Sequence, residues 1–102
     1  MPESTYTFTA TLWQWSAKES TTWVFVTLPK GASDEIKDVP RPHKRGFGSV
    51  RVAAMIGHSR WSTSVFPDNE SGCYVLPVKK AIRVAEGIDA GDDADITVTT
   101  MD

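Results

Sequence analysis

The chain has 102 residues, enough to bury one hydrophobic core but too few for two ordinary domains, so we expect a single domain over residues 1–102. A composition of 40% apolar and 24% charged residues is typical of globular proteins, and no apolar run approaches the roughly 20 residues of a membrane-spanning helix. The formal charge of -2 does not indicate a nucleic-acid-binding protein, and the single cysteine excludes an intramolecular disulfide and the multi-thiolate zinc sites.

The first predicted strand is marked by apolar residues that alternate with threonines: Tyr6, Phe8, Ala10 and Leu12. After Leu12 the pattern slips, because Trp13 and Trp15 fall on the threonine face. We therefore expect a bulge near Leu12, or a strand that is covered on both faces. A second strand is predicted over residues 21–28, TTWVFVTL, which is apolar on both faces in its middle.

A short unit occurs twice in the chain. In each copy a strand ends at a Leu-Pro pair, and a short helix, a glycine-containing loop and a further strand follow. The pairs are Leu28-Pro29 and Leu76-Pro77. Proline cannot donate a hydrogen bond to a strand ladder and its fixed φ suits the first turn of a helix, so it marks the change of structure. The two copies predict a pseudo-two-fold arrangement.

The two helices differ in their predicted first turns. The first is expected to have Ser33 as its N-cap and to carry Asp34 and Glu35 in the first turn. The second is expected to begin directly after Pro77 and to end at Gly87, which can adopt the left-handed conformation. Its predicted apolar stripe consists of Val78, Ala81, Ile82 and Ala85.

The remaining segments complete a β-rich domain. Residues 39–48 contain two prolines and two glycines and are predicted to form a surface loop. Alternating strands are predicted over residues 49–56, 61–65 and 92–99. The expected fold is mainly β with two short helices: a small split six-stranded β-barrel built from pseudo-two-fold strand, Leu-Pro, helix and strand units.

The sequence resembles a known bacterial family over almost its whole length. The similarity lies in the segments GFGSVRV at 46–52, IG at 56–57, Trp61, TSVFP at 63–67, YVLPVKKAIR at 74–83 and AGD at 90–92. This pattern resembles the family catalogued as domain of unknown function 1905. The resemblance implies a small split β-barrel, sometimes fused to a bacteriocin-protection-type domain. It implies no established activity and no catalytic residues.

The candidate site lies at the start of the second helix, where Lys79 and Lys80 are expected in the first turn. Free N–H groups make this end of a helix partly positive, so lysines are unfavourable there and carboxylates are usual, as Asp34 and Glu35 suggest for the other helix. A bound anion would reverse the effect. The expected site residues are Lys79, Lys80, Arg83, Arg51, Arg60 and Trp61.

These residues predict a binding or interaction module for an anionic small molecule or an acidic partner surface. The alternative is that the lysines are solvated or pair with the acidic segment 89–95. We expect no cofactor, no metal and no membrane partner. The first residues, MPESTYTF, lack the features of a signal peptide, so a cytoplasmic protein is expected. Split barrels have open edges, which makes a homodimer an alternative to a monomer.

Two further hypotheses belong to other functional classes. Nucleic-acid binding would use a basic cluster in and after the loop, which could also be a second anion site. Its residues are Arg41, His43, Lys44, Arg45 and Arg51, with Phe47 among them. An enzyme would use a groove edged by Trp13, Trp15, His58 and Ser59. The sequence contains four tryptophans, and most of them are expected to fill the barrel. At least one of Trp13 and Trp15 is left to line a ligand groove or a dimer surface.

Overall fold

The computed structural model describes residues 4–16, 22–38 and 48–101. Within them the chain forms seven strands and two helices: β1 (Thr5–Thr11), β2 (Trp13–Ser16), β3 (Thr22–Thr27), α1 (Lys30–Asp38), β4 (Val50–Ile56), β5 (Ser59–Asp68), β6 (Cys73–Pro77), α2 (Lys80–Glu86) and β7 (Asp93–Thr100). The predicted mainly β class is confirmed. No helix in these ranges is long and apolar enough to cross a lipid bilayer.

The strands form one antiparallel sheet in the order β1-β7-β4-β5-β6-β3-β2. The end strands of this order, β1 and β2, are separated in the chain by Leu12 alone, so the sheet curls until its two ends meet there. The Leu12 N–H donates to the Asp92 carbonyl (2.9 Å), and the Gly91 N–H donates to the Leu12 carbonyl (2.8 Å). The result is a curled antiparallel half-barrel. It has one strand more than predicted because the first strand is divided at Leu12.

The two predicted units pair with each other through equivalent strands. β3 and β6, the strands that precede the helices, lie side by side with Val26 opposite Leu76. β4 and β7, the strands that follow the helices, are also neighbours, with Ala54 opposite Val98. This arrangement confirms the pseudo-two-fold organisation. The core between the two halves consists mainly of branched aliphatic side chains, the most deeply buried being Leu12, Leu28, Ile36, Leu76, Ile96, Val26, Val52, Val65, Val78 and Val98.

The outer side of the sheet carries threonines in β1 and tryptophans in β2, and the inward and outward alternation of residues continues unchanged from one strand to the next. Trp13 lies opposite Phe25 and Trp15 opposite Trp23. Trp23 and Phe25 alternate along β3 with the buried Val24 and Val26, so these aromatic rings lie on the outer side of the sheet. The expected slip at Leu12 is wrong, since residues of odd number point outward throughout.

The expectation that most of the tryptophans fill the barrel is also wrong, although the exposed Trp15 agrees with the expectation that Trp13 or Trp15 stays outside. Trp15 and Trp23 are each 49% exposed, whereas Trp61 is 9% exposed and belongs to the core. Trp13 is half-buried and donates its Nε1–H to the Thr27 hydroxyl (2.9 Å). The inward positions of this sheet are taken by smaller branched residues, which leaves the large rings on the outside.

Both helices begin at positions other than those predicted. α1 begins at Lys30, directly after Pro29, so Ser33 is inside the helix and is not its N-cap. α2 begins at Lys80, two residues later than its proline would suggest, with Lys79 in the N-cap position. Its attachment to the core uses Ile82, because Ala81 and Ala85 are exposed. The predicted end is confirmed, since Gly87 adopts a left-handed φ of 66°.

Candidate binding cleft beside the second helix

A cleft of about 540 Å³ opens beside the start of α2. Its walls are Trp23 and Val24 of β3, residues 61–63 of β5, and residues 77–80 together with Arg83. We call this feature the cleft. Its size lies within the usual range for small-molecule pockets, and it combines an apolar wall with a few polar groups, as such pockets usually do.

The cleft exists because β5 and β6 separate. They pair only over residues 66–68 and 73–75, with Phe66 opposite Val75. Continuing that register would place Ser64 opposite Pro77, which has no N–H to donate. The Val78 N–H donates to the Val24 carbonyl (2.9 Å), so this segment stays paired with β3 beyond the point where it is no longer paired with β5. The chain therefore leaves β5 after Val75, and the gap between the separating segments becomes the cleft.

Two tryptophans give the cleft an aromatic wall. Trp61 faces inward from β5 and is almost fully buried, so little of its indole is accessible. Trp23 is on the outer side of β3 and is stacked on Phe25, with 6.2 Å between the ring centroids. Trp23 was not among the predicted site residues. The alternation of β3 with its buried valines is the signal that could have placed this ring at the surface.

The lysines of the cleft are exposed and have no acidic partner in the part of the chain that the structure describes. Lys79 has an extended backbone (φ −69°, ψ 158°), makes no side-chain capping bond, and precedes the first helical residue, Lys80. Within the described residues neither ammonium group belongs to an ion pair. Both are therefore free to accept an anion in place of water.

Arg83 is already engaged by its neighbours. Its Nε–H donates to the Val78 carbonyl (3.1 Å), and its Nη1 lies 3.0 Å from Oδ1 of Asp89. The Ala90 N–H and the Arg83 guanidinium both bond to the Asp89 carboxylate and lower its pKa. The acidic segment, which was considered as a partner for the lysines, therefore supplies a partner for Arg83. Arg83 shapes the wall of the cleft with much of its charge balanced.

The predicted electrostatic contrast between the helices is wrong in its original form. Neither helix carries an acidic residue in its first turn, because α1 starts early enough to place Asp34 and Glu35 in its middle. Both helices begin with a lysine. Lys30 in α1 forms a 3.0 Å ion pair with Asp34, which raises the pKa of Lys30. The difference is therefore one of pairing and not of position relative to the helix dipole.

Two predicted site residues lie elsewhere. Arg60 precedes the inward-facing Trp61 in β5 and so points to the outer side of the sheet. Arg51 lies between the buried Val50 and Val52 and is outward for the same reason. Neither lines the cleft, whereas Lys79, Lys80, Arg83 and Trp61 all do.

The groups of the predicted enzyme groove are dispersed in the fold. Trp13 and Trp15 are on the outer side of β2, while His58 is in the turn between β4 and β5. The Ser59 hydroxyl donates to Oε2 of Glu86 (2.6 Å), which ties the end of α2 to that turn. None of these residues lines the cleft. The basic loop of the nucleic-acid hypothesis, residues 41–47, lies outside the described residues.

Metal binding has no support in the described part of the chain, where no group of three His, Cys, Asp or Glu side chains could hold an ion. A comparison with curated proteins finds no match. A family model described as Domain of unknown function (DUF1905) matches residues 8–98. Because that match covers nearly the whole chain, the protein belongs to the DUF1905 family.

Proposed function

We propose that this protein is a binding module whose cleft holds a negatively charged ligand or an acidic surface of a partner. The observation that carries the proposal is the presence of two unpaired ammonium groups and two tryptophan rings around one cavity. Lys79 and Lys80 would bind the anionic group of the ligand. Trp23 and the accessible edge of Trp61 would contact its apolar part.

The two kinds of wall have different roles in such a site. Burial of apolar surface contributes roughly 25 cal/mol of transfer free energy for each Å² removed from water, before the cost of association is subtracted. Exposed charges contribute less to affinity and more to orientation and discrimination against cations. The cleft therefore favours anions that carry a flat or apolar body over small inorganic ions.

The proposal is tested by NMR titration of the ¹⁵N-labelled protein with phosphate, benzoate, a nucleoside monophosphate and short acidic peptides. At least one of them should shift the backbone amides of residues 78–80 and the indole N–H of Trp61. Lys79→Ala and Lys80→Ala should each weaken binding, whereas Lys30→Ala, at the start of the other helix, should not. The absence of shifts at these positions with all four probes would contradict the proposal.

A second candidate function is supported by the aromatic rings on the outer side of β2 and β3. Trp15 and Trp23 are adjacent on the outer side of β2 and β3, and Trp23 also borders the lysines. Single-stranded nucleic acids bind to such combinations, since bases stack on aromatic rings while cations follow the backbone. A mobility shift with oligonucleotides should then weaken steeply with salt. No shift at low salt would exclude this function.

We place the module in the bacterial cytoplasm, where thiols stay reduced. The support is Cys73, which is a free thiol in the structure and the one cysteine of the sequence. Fractionation of cells that express the tagged protein should recover it with cytoplasmic markers, and recovery with the envelope fraction would contradict this location.

A further inference from the structure

We propose that the ligand of the cleft is an extended, carboxylate-bearing peptide segment that pairs with the free edge of β5. This inference rests on the proposed function and names the class of partner. It comes from a feature that a small anion would not use, namely the backbone of β5.

One edge of β5 has no strand partner along most of its length. Within the described ranges, residues 59–65 pair with β4 on one side, and pairing with β6 on the other side begins only at Phe66. Alternate residues of a strand direct their N–H and C=O groups to each side. The unpaired edge therefore presents backbone donors and acceptors, which are satisfied by water or by another strand.

This free edge borders the cleft directly. Three consecutive residues, 61–63, line it, although their side chains alternate between the inner and outer sides of the sheet. Such a run indicates that the backbone itself forms the wall. Three residues of a strand extend for about 10 Å, enough to pair with about three residues of an extended segment.

The charges and rings of the opposite wall suit such a segment. A peptide paired with β5 would lie between that strand and residues 77–80, so its carboxylates could reach the unpaired Lys79 and Lys80. Its apolar side chains could contact Trp23 and the edge of Trp61. Strand addition of this kind takes affinity from main-chain hydrogen bonds and specificity from alternate side chains. A free phosphate would use the lysines and leave the edge unpaired.

The test uses the full chain and a fluorescein-labelled peptide of five alternating valine and glutamate residues, blocked at its C-terminus as an amide. Two control peptides carry backbone N-methyl groups on the odd or on the even residues. Methylation keeps the charges and side chains but removes the backbone N–H donors of the methylated residues. Strand pairing uses the N–H groups on one side of the peptide, which belong to alternate residues. One methylated peptide should therefore bind at least about tenfold more weakly than the unmodified peptide, as expected for the loss of about 1.4 kcal/mol or more of hydrogen bonding.

Hydrogen exchange and sedimentation complete the test. The unmodified peptide should slow amide exchange within residues 61–63, and Lys79→Ala should weaken its binding. Equal binding of all three peptides without slower exchange would overturn strand pairing, while shifts at residues 78–80 would still support an anion site. Loss of those shifts for every probe would contradict the proposed function itself. The protein could instead sediment as a dimer whose residues 61–63 exchange slowly without any peptide. That result would assign the edge of β5 to a second copy of the chain and overturn the peptide proposal.

Discussion

The two helices leave the sheet after the same Leu-Pro pair but are fastened differently. In α1 the buried Ser33 hydroxyl accepts the Tyr74 N–H of β6 (3.0 Å), and Lys30 is paired with Asp34. In α2 the position equivalent to Ser33 is Ala81, which is exposed, and Lys80 has no ion-pair partner among the described residues. The first copy of the unit uses its polar groups for structure, whereas the second leaves two cations free beside a cleft.

The comparison teaches how a repeated unit can become asymmetric while both of its helices stay attached to the core. Each helix buries one isoleucine, but Ile36 and Ile82 occupy different positions relative to the Leu-Pro pairs, since the position equivalent to Ile36 is the exposed Val84. The lysine pairing that differs is exposed and contributes little to folding, whereas the buried Ser33 bond stabilises α1 alone. A binding site can therefore arise in one copy while the other copy keeps the sheet and helix together.

The largest expected effect on stability concerns the buried isoleucine that each helix carries. Ile36→Ala and Ile82→Ala should each lower the free energy of unfolding by about 2–5 kcal/mol, because each removes a buried side chain and leaves a cavity. Urea denaturation measures both. Val84→Ala is the matched control, because Val84 is 70% exposed and its loss should change stability by less than about 0.5 kcal/mol. If Ile82→Ala changed the free energy of unfolding as little as this control does, burial of Ile82 would not be what attaches α2 to the core.

The next largest effect on stability should distinguish α1 from α2. Ser33→Ala should lower the free energy of unfolding by about 1–3 kcal/mol, because the buried Tyr74 N–H loses its acceptor. The reciprocal change, Ala81→Ser, should alter stability by no more than about 0.5 kcal/mol, since position 81 is exposed. Equal changes in the free energy of unfolding for the two substitutions, measured by urea denaturation, would contradict the proposal that a polar side chain attaches α1 but not α2 to the sheet.

A smaller effect is expected when the second helix is given the ion pair of the first. In Val84→Glu the new carboxylate lies four residues after Lys80, as Asp34 follows Lys30, and should stabilise the protein by about 0.3–0.5 kcal/mol. The same change should weaken binding of an anionic ligand about two- to fivefold, because it neutralises a cation of the cleft. Val84→Gln, which keeps the size but lacks the charge, serves as the control. Tighter anion binding by Val84→Glu would contradict the role of Lys80.

The smallest effect concerns pH. The Ala90 N–H and Arg83 lower the pKa of Asp89, so the carboxylate form is favoured in the folded state. The stabilisation is complete above the unfolded value and is lost as the pH falls through the lower folded value. A ¹³C NMR titration should place the Asp89 midpoint below 3.8, its ordinary value. Arg83→Ala should raise the midpoint only in part, since the Ala90 N–H remains. A midpoint at or above 3.8 in the unmodified protein would contradict the pairing.

The alternation of residues in the chain was sufficient to predict the strands, and the repeated Leu-Pro pairs predicted the pseudo-symmetry. The helix starts were missed because local capping rules favoured Ser33, while its hydroxyl is used by Tyr74, a strand residue 41 positions away. The sides of Trp13 and Trp15 were readable from the same alternation. The expectation that most tryptophans fill the interior was wrong because branched aliphatic residues occupy it.

The candidate site was predictable in part. Lys79, Lys80, Arg83 and Trp61 were identified from the sequence and do meet at one cleft. Arg51 and Arg60 were grouped with them by charge alone, although their strand positions direct them to the outer side. Trp23 was missed because it is 38 positions from Trp61 in the chain. It is brought to the cleft by the pairing of β3 with β6.

By itself the sequence determined the strand periodicity, the repeated unit and the membership of a family, because these depend on neighbouring residues. The tertiary structure decided where β5 and β6 separate, which cations are balanced and which remain free. Those features depend on contacts between distant segments, such as the Val78 N–H bonded to Val24 and Arg83 bonded to Asp89. Local patterns carry no record of such contacts, so the cleft became visible only in the folded chain.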